Sequence, residues 1–243
     1  MNLIRLLQTE WIKQRRGILP WLVVGGPLIF AVMMWVDLYL RYNYLNGRHP
    51  ELDSWELLMQ EGFMIWAIFY PIGITLIAAL IHYREYTDHG WKHLLALPVP
   101  RLSVYAAKWL LIWLLSCAAA GLLLLFLYVT GRILHFPEPF PAVVYLRYGI
   151  NLCIAALGVV SLQHWLSSRL SNPLYGMAIG FSGSMGALFF AQSKIMRFVP
   201  YASALFTVTV ENEDQWLAIV TGLIAGPLLL IAGLTEFRRR DIH

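Results

Sequence analysis

The sequence of 243 residues has the composition of a protein that lies mainly within a lipid bilayer. Hydrophobic residues make up 59% of the chain, charged residues make up only 13%, and the formal net charge is +4. So few charges cannot cover the surface of a soluble domain of this length, and most of the surface must therefore face lipid. The composition excludes a soluble enzyme or binding domain and predicts an all-α polytopic membrane protein.

Residues 1–16 precede the first long apolar run and predict an amphipathic helix at the membrane interface. Leu3, Leu7 and Trp11 recur every four residues, so they share one helical face. Arg5, Lys13 and Arg16 lie off that face, where they can meet anionic lipid headgroups, and Glu10 belongs to the same interfacial helix. A disordered basic leader is the alternative. No short apolar core is followed by a small-residue cleavage site, so we expect no cleavable signal peptide.

Six long apolar runs follow, each close to the roughly 20 residues that a membrane-spanning helix needs. The spans are placed at residues 17–40, 62–82, 108–131, 146–168, 171–193 and 215–235. Only Arg169 separates the fourth run from the fifth, and Pro173 beside it favours a tight turn over one long helix. A seventh apolar stretch, residues 198–210, is too short to span and predicts an interfacial or re-entrant helix on the outer side.

The distribution of Lys and Arg predicts the orientation of the six spans. If the N-terminus is cytosolic, the outer loops carry six of the 18 cations and the inner segments carry the other twelve. The outer six are Arg41, Arg48, Arg132, Arg147, Lys194 and Arg197. Cytosolic loops carry the excess of Lys and Arg in membrane proteins, so we expect both termini to be cytosolic.

The sequence offers little for a cofactor or a metal ion. It contains neither G-x-x-x-x-G-K-[ST] nor G-x-G-x-x-G, so any nucleotide must be hydrolysed by another chain. Cys117 and Cys153 lie in separate apolar runs without metal-ligand spacing. His89 and His93 stand four apart, but the glutamate of H-E-x-x-H is missing and no third ligand is evident. We therefore expect no catalytic, cofactor or metal site in this chain.

The fifth run contains a pattern with two interpretations. Residues 180–183 read G-F-S-G, the form of an intramembrane serine protease nucleophile, which needs a histidine on a later span. The sixth run has none. The second interpretation is a packing face, because small residues recur at spacings of four and let helices approach closely in lipid. The packing residues are Gly176, Gly180, Gly183 and Ser184, and the pattern favours this interpretation.

The segment 83–101, between the second and third runs, is polar and carries both signs of charge. Glu85 and Asp88 stand where a helix would begin, and Pro98 and Pro100 would stop it before the next span. We interpret this segment as the place where the membrane protein receives work from a soluble partner.

The segment resembles the first cytosolic loop of ABC-2 type permeases. Those loops have an acidic residue, a glycine five positions later, an aliphatic pair, Pro-x-x-Arg and a lysine that enters the third span. The corresponding residues here are Glu85, Gly90, Leu94, Leu95, Pro98, Arg101 and Lys108. Glu10, Lys13 and Arg16 similarly match an E-x-x-K-x-x-R pattern before the first span. Trp91 replaces the frequent threonine and Pro100 a small polar residue, which leaves the subfamily open.

The resemblance implies the membrane subunit of an ATP-driven exporter. The loop would act as a coupling helix that seats in a cytosolic ATPase subunit, present in two copies and holding ATP and Mg, and a second permease copy or a homologous permease would complete the transporter. The docking residues would be Glu85, Asp88, Gly90, Trp91, Lys92, Leu94, Leu95, Pro98 and Arg101. No residue of this chain would perform bond chemistry. Membrane lipid is the other expected partner, and no nucleic acid is expected.

The small size looks most like the permeases of lantibiotic or bacteriocin self-protection exporters and of bacitracin-resistance exporters. This likeness implies a bacterial cytoplasmic membrane and an amphipathic substrate, such as an antimicrobial peptide, an antibiotic or a lipid-like molecule. The alternatives are a non-transporting membrane anchor or assembly component and, more remotely, an intramembrane protease.

Overall fold

The computed structural model describes residues 3–87, 100–207 and 212–239. All regular secondary structure in these residues is helical. Its helical content is 88%, and the described residues form no strand. The α-helices are α1 (Leu3–Gln14), α2 (Leu19–Arg48), α3 (Ser54–Thr87), α4 (Arg101–Ile133), α5 (Ala142–Arg169), α6 (Pro173–Gln192) and α7 (Asn212–Arg239). The all-α prediction is confirmed.

Six of these helices, α2 to α7, are long and apolar enough to cross a membrane, which confirms the predicted number of spans. Several are longer than predicted. α2 has 30 residues and α3 has 34, so each extends well beyond the roughly 30 Å hydrocarbon core of a bilayer. We call the end of the bundle that carries α1 the proximal end and the opposite end the distal end. The sequence predicts that the proximal end is cytosolic.

An aromatic cluster around Trp55 closes the distal end of the core. The Trp55 indole packs edge-on against Phe136 and Phe140, with ring centroids 5.0 and 4.9 Å apart. Its Nε1–H donates to the Glu138 carbonyl at 3.0 Å, and the Tyr145 hydroxyl donates to the Trp55 carbonyl at 3.0 Å. The loop after α4 is thus fastened to the start of α3, because buried indole and phenol groups need such partners.

A close parallel contact joins α5 and α7. Gly222 and Gly226 lie directly against Ile154 and Leu157, so that a side chain at position 222 would overlap the Ile154 carbonyl. Both glycines stand at the four-residue spacing that allows helix backbones to approach in a membrane. The predicted packing residues all lie in the fifth run, so the contact made by Gly222 and Gly226 in the sixth run was not predicted.

The structure places the small residues of α6 at two contacts. Gly180 lies against Thr75 of α3 and against Gln163 of α5, while Gly183 lies against the ring of Tyr201. Ser182, in contrast, is exposed on the outer surface of α6.

The chain after α6 enters the bundle again as three short 3₁₀ helices, Met196–Phe198, Pro200–Ala202 and Leu205–Thr207. The Gln163 side chain donates to the Tyr201 hydroxyl at 2.5 Å, and the Ser203 hydroxyl donates to the Ala155 carbonyl at 3.1 Å. Gln163 lies 21 residues into the 28-residue helix α5, so the Tyr201 side chain reaches about three quarters of the way along α5 from the distal end. Within the described residues the predicted interfacial or re-entrant helix is a series of 3₁₀ turns packed against α5 and α6 rather than a continuous helix, and its depth in the membrane stays a prediction. Residues 208–210 of the predicted stretch lie outside the described residues.

Candidate functional site

The proximal ends of α1, α3 and α4 meet around the buried ammonium group of Lys108. This side chain has no solvent exposure. Its Nζ lies 2.6 Å from Oε2 of Glu10 and 2.8 Å from Oε1 of Glu85. Lys108 therefore joins the N-terminal helix to the last turns of α3, over sequence separations of 98 and 23 residues.

A second lysine completes the arrangement from the solvent side. Lys13 Nζ lies 3.1 Å from Oε1 of Glu10 and 3.1 Å from Oε1 of Glu85. The Lys13 side chain is 35% exposed, whereas those of Glu10 and Glu85 are only 5% and 4% exposed. We call these four residues the ion cluster. Its two carboxylates and two ammonium groups alternate, so the cluster has no net charge.

The alternation explains how four ionisable side chains can share a nearly dry site. Burying one unpaired ion costs several kcal/mol, and pairing offsets this only when each charge has close partners. Here each carboxylate contacts both lysines. Removal of one partner would leave an uncompensated charge, so we expect the cluster to form and open as a unit.

The protonation behaviour of Glu85 and Lys13 agrees with this geometry. Glu85 lies beyond Tyr83, where the candidate span of α3 ends. Burial raises the pKa of the Glu85 carboxyl, but Lys108 and Lys13 outweigh it and hold this pKa below its usual range. Burial lowers the pKa of Lys13, and Glu10 and Glu85 outweigh it in turn, so this pKa lies above its ordinary value. Both groups are therefore charged throughout the neutral pH range.

The side of helix α1 that packs against the bundle differs from the apolar face formed by Leu3, Leu7 and Trp11. Leu6, Glu10 and Gln14 are its buried residues, and they recur every four positions. Leu3 and Trp11 are 42% and 39% exposed, as suits a face directed to lipid. Two polar residues of α1 form ion pairs with the neighbouring helices: Glu10 pairs with Lys108 of α4, and Lys13 pairs with Glu85 of α3.

Further contacts tie the neighbouring proximal ends together. The Tyr86 hydroxyl donates to the Ser168 carbonyl at 2.6 Å, which joins the last turn of α3 to the end of α5. Glu236 of α7 accepts the Trp165 indole N–H at 2.8 Å and lies 3.3 Å from Nε of Arg169. Ion pairs and side-chain hydrogen bonds thus link the proximal ends of five helices, α1, α3, α4, α5 and α7.

Two histidines are buried between α3 and α5, close to the ion cluster. The rings of His82 and His164 have centroids 5.0 Å apart, and the Tyr105 ring lies 4.1 Å from that of His164. Both histidines are 1% exposed or less. Among the described residues no group of three or more His, Cys, Asp and Glu side chains could hold a metal ion.

The structure locates only part of the predicted docking set. Glu85 is buried in the ion cluster, so its carboxylate is turned toward α1 and α4 rather than toward solvent. Arg101 is exposed at the start of α4, and its guanidinium donates to the Arg238 carbonyl at 3.5 Å. The remaining members lie outside the described residues: Asp88, Gly90, Trp91, Lys92, Leu94, Leu95 and Pro98.

All four residues of the ion cluster belong to motifs evident in the sequence, but their meeting was not predicted. One signal was present. Lys108 is a single cation between Ala107 and Trp109 in an otherwise apolar stretch, and a charge placed there needs a buried partner. Glu10 and Glu85 are two of the acidic residues predicted near the same membrane surface.

These observations define a multi-pass helical membrane protein whose connection between the second and third spans is fixed at its base to an N-terminal helix. Residues 6–186, from α1 into α6, match the family model described as ABC-2 family transporter protein. The chain belongs to this family of transporter membrane proteins. Comparison with curated proteins and with solved structures gives no match.

Proposed function

We propose that this chain is the permease subunit of an ATP-driven ABC exporter in a bacterial cytoplasmic membrane. In this proposal segment 83–101 docks on a separate cytosolic ATPase, which binds ATP and Mg, and the spans export an amphipathic substrate or clear it from the membrane. The ion cluster is the observation that supports the proposal most directly, because Glu85, near the start of the segment, and Lys108, shortly after its end, are both bonded to α1.

The ion cluster would transmit a movement of the docked loop to the helices of the bundle. A displacement of the docked loop would act first on Glu85, at the last turns of α3, and on Lys108, in the first turns of α4. Lys108 is bonded to Glu10 of α1 and Glu85 to Lys13 of the same helix, so α1, α3 and α4 would move together as a rigid body. We assign Glu85 a positioning role on this basis. Direct contact with the ATPase is left to Asp88, Gly90, Trp91, Lys92, Leu94, Leu95, Pro98 and Arg101.

A second permease, identical or homologous, is part of the proposal. ABC-2 permeases generally work with an ATPase subunit and often as dimers. The outer face of α6 supports a helix–helix contact, since Ala178 and Ser182 are exposed there and Gly186 follows at the same spacing of four. The other small residues of α6 are used within the chain.

The substrate class follows from the likeness to lantibiotic and bacitracin exporters. An antimicrobial peptide, an antibiotic or a lipid-like molecule would present apolar surface to the spans, and α2 and α7 expose many large apolar side chains such as Ile29, Leu40 and Leu228. Such a substrate would reach the permease from the bilayer itself.

Affinity purification of the tagged protein from its native membrane tests the proposal. The recovered proteins are identified by mass spectrometry for wild type and for two variants. The two substitutions lie at opposite ends of the bundle. Trp91→Arg alters the proposed docking loop, and Arg48→Gln, at the exposed distal end of α2, is the matched control. We expect an ATPase with wild type and Arg48→Gln and little or none with Trp91→Arg.

Size-exclusion chromatography of each variant verifies that the bundle stays intact. Absence of any ATPase from intact wild type would reject the exporter proposal, and a membrane anchor or assembly component would then describe the protein better. Recovery of the ATPase with Trp91→Arg would reject the docking role of the loop alone.

A further inference from the structure

A groove of about 260 Å³ opens between α2 and α3, away from the ion cluster. It extends along residues 22–33 of α2 and residues 66–77 of α3, which run in opposite directions, and Ala119 of α4 closes its base. Eleven helical steps make the groove about 16 Å long. Both stretches lie within candidate membrane spans, so the groove opens at the depth of the lipid tails.

Two features of the sequence keep the groove open. Gly26 and Gly73 line it, and a side chain added at either position would meet nothing within 4 Å. Pro27 and Pro71 stand in the interiors of α2 and α3, where each removes a backbone hydrogen bond and favours a kink. The two helices contact each other within the groove lining, where the rings of Phe30 and Trp66 have centroids 5.1 Å apart.

The lining is suited to hydrocarbon rather than water. Its two hydroxyl groups are already used, since Tyr70 donates to the Ser116 carbonyl at 3.0 Å and Ser116 donates to the Ile112 carbonyl at 2.8 Å. The indole nitrogen of Trp66, at the distal end, is the one lining side-chain atom among the described residues that is buried without a partner. Ile29 and Phe69, at the rim, are 72% and 51% exposed to the bilayer side. A water molecule needs two or more polar partners, which this lining lacks.

The volume limits what can enter. A cavity of about 150 Å³ in a protein core can hold a benzene ring, so a groove of this size admits a longer stretch of hydrocarbon. A helix with its side chains is about 10 Å across and would need several times the available volume over the same length. One extended chain therefore fits where a helix of a second copy does not.

The charges at the proximal end of the groove indicate what kind of lipid would supply this extended chain. Arg15 and Arg16 are exposed, and neither forms an ion pair with any residue that the structure describes. They directly precede α2, and Leu22, at the proximal end of the groove, lies about 5 Å along that helix from Leu19. Guanidinium groups at this level complement a phosphate. We propose that the groove binds one acyl chain of an anionic membrane phospholipid, with its phosphate held at Arg15 and Arg16.

Photolabelling of the full chain in phosphatidylethanolamine vesicles tests the proposal. The probe is phosphatidylglycerol with a diazirine at the middle of one acyl chain, and mass spectrometry maps the labelled residues. Labelling in residues 22–33 and 66–77 is compared with that at Leu223 and Leu228, which are exposed on α7. We expect several-fold more label in the groove than on α7 in wild type.

The chain offers a closely matched pair of variants. Gly26→Phe fills the groove, whereas the adjacent Gly25→Phe enters open space outside it. We expect Gly26→Phe to reduce groove labelling to the α7 level and Gly25→Phe to leave it unchanged, with equal melting temperatures for both. Equal labelling of the two variants, or no excess over α7 in wild type, would overturn the proposal.

The headgroup is tested separately with a phosphatidylcholine probe of the same acyl chain. We expect it to label the groove less than phosphatidylglycerol does, and we expect the double change Arg15→Gln and Arg16→Gln to remove this difference. Equal labelling by the two probes in wild type would overturn the assignment of an anionic lipid.

Discussion

Glu10 and Lys108 are 98 positions apart in the sequence, yet their side chains form a buried ion pair of 2.6 Å. The contact joins the N-terminal helix α1 to the first turns of α4. Because Glu85 shares the same ammonium group, the two sides of the loop between the second and third spans have one common anchor.

Replacement of Lys108 by methionine should destabilise the bundle strongly. The change retains the length of the side chain but leaves Glu10 and Glu85 buried with Lys13 as their single cation. Breaking a buried pair in this way costs about 3–5 kcal/mol, because an uncompensated charge remains. The midpoint of thermal unfolding in detergent, followed by size-exclusion chromatography, measures the loss.

Two further variants separate this effect from a general loss of packing. Arg132→Met, at an exposed position on the distal part of the same helix, should change stability by no more than about 0.5 kcal/mol. Adding Glu10→Gln and Glu85→Gln to Lys108→Met should restore much of the loss, since no unpaired charge is then buried. A triple variant as unstable as the sum of its parts would contradict the account.

The stability of the protein should depend on pH through the ion cluster. The pKa of Glu85 lies below its ordinary value of 4.5, so the cluster stabilises the fold above that pH, and this contribution is lost as the pH falls through the folded-state pKa. The pKa of Lys13 lies above its ordinary value of 10.5, so its contribution is complete below that pH and is lost as the pH rises through the folded-state value. Between these limits stability from the cluster should be constant.

Unfolding midpoints measured across the acidic range for wild type and Glu85→Gln examine this dependence. The variant should be less stable near neutral pH but should lose less additional stability on acidification, because the titrating group is gone. Identical acid profiles for the two proteins would show that Glu85 does not contribute to the acid sensitivity.

The fold class could be predicted from the sequence because lipid imposes a strong constraint: each span must be a long apolar helix. The ion cluster could not be predicted, because its pairings depend on how α1 docks against the bundle. The apolar spacing of Leu3, Leu7 and Trp11 does not show that Glu10 faces inward. Segment 196–207 was equally difficult. Its backbone hydrogen bonds are made within local 3₁₀ turns, while the Ser203 hydroxyl donates to the Ala155 carbonyl of α5, and neither leaves a periodic pattern in the sequence.

The parallel contact of α5 and α7 should tolerate no side chain at Gly222. A leucine there would overlap the backbone of Ile154, which cannot move aside as a flexible side chain could. Overpacking typically costs about 1–3 kcal/mol, and we expect Gly222→Leu to reach or exceed that range. Gly121→Leu is the control, since Gly121 is exposed on α4 with open space around it. Equal unfolding midpoints for the two variants would contradict the close contact.

The predicted orientation and the re-entrant segment can be tested together with single cysteines. Cys117 and Cys153 are first replaced by serine, and cysteine is then introduced at Arg16, Lys194 or Ala202 in intact cells treated with a membrane-impermeant maleimide. Lys194 is exposed at the distal end and should react, whereas Arg16 should react only after the cells are opened. Ala202 lies within segment 196–207 with no exposure, so it should stay unmodified until the protein is unfolded in detergent. Reaction at Arg16 in intact cells would reverse the orientation, and rapid reaction at Ala202 would show that the segment does not stay inside the bundle.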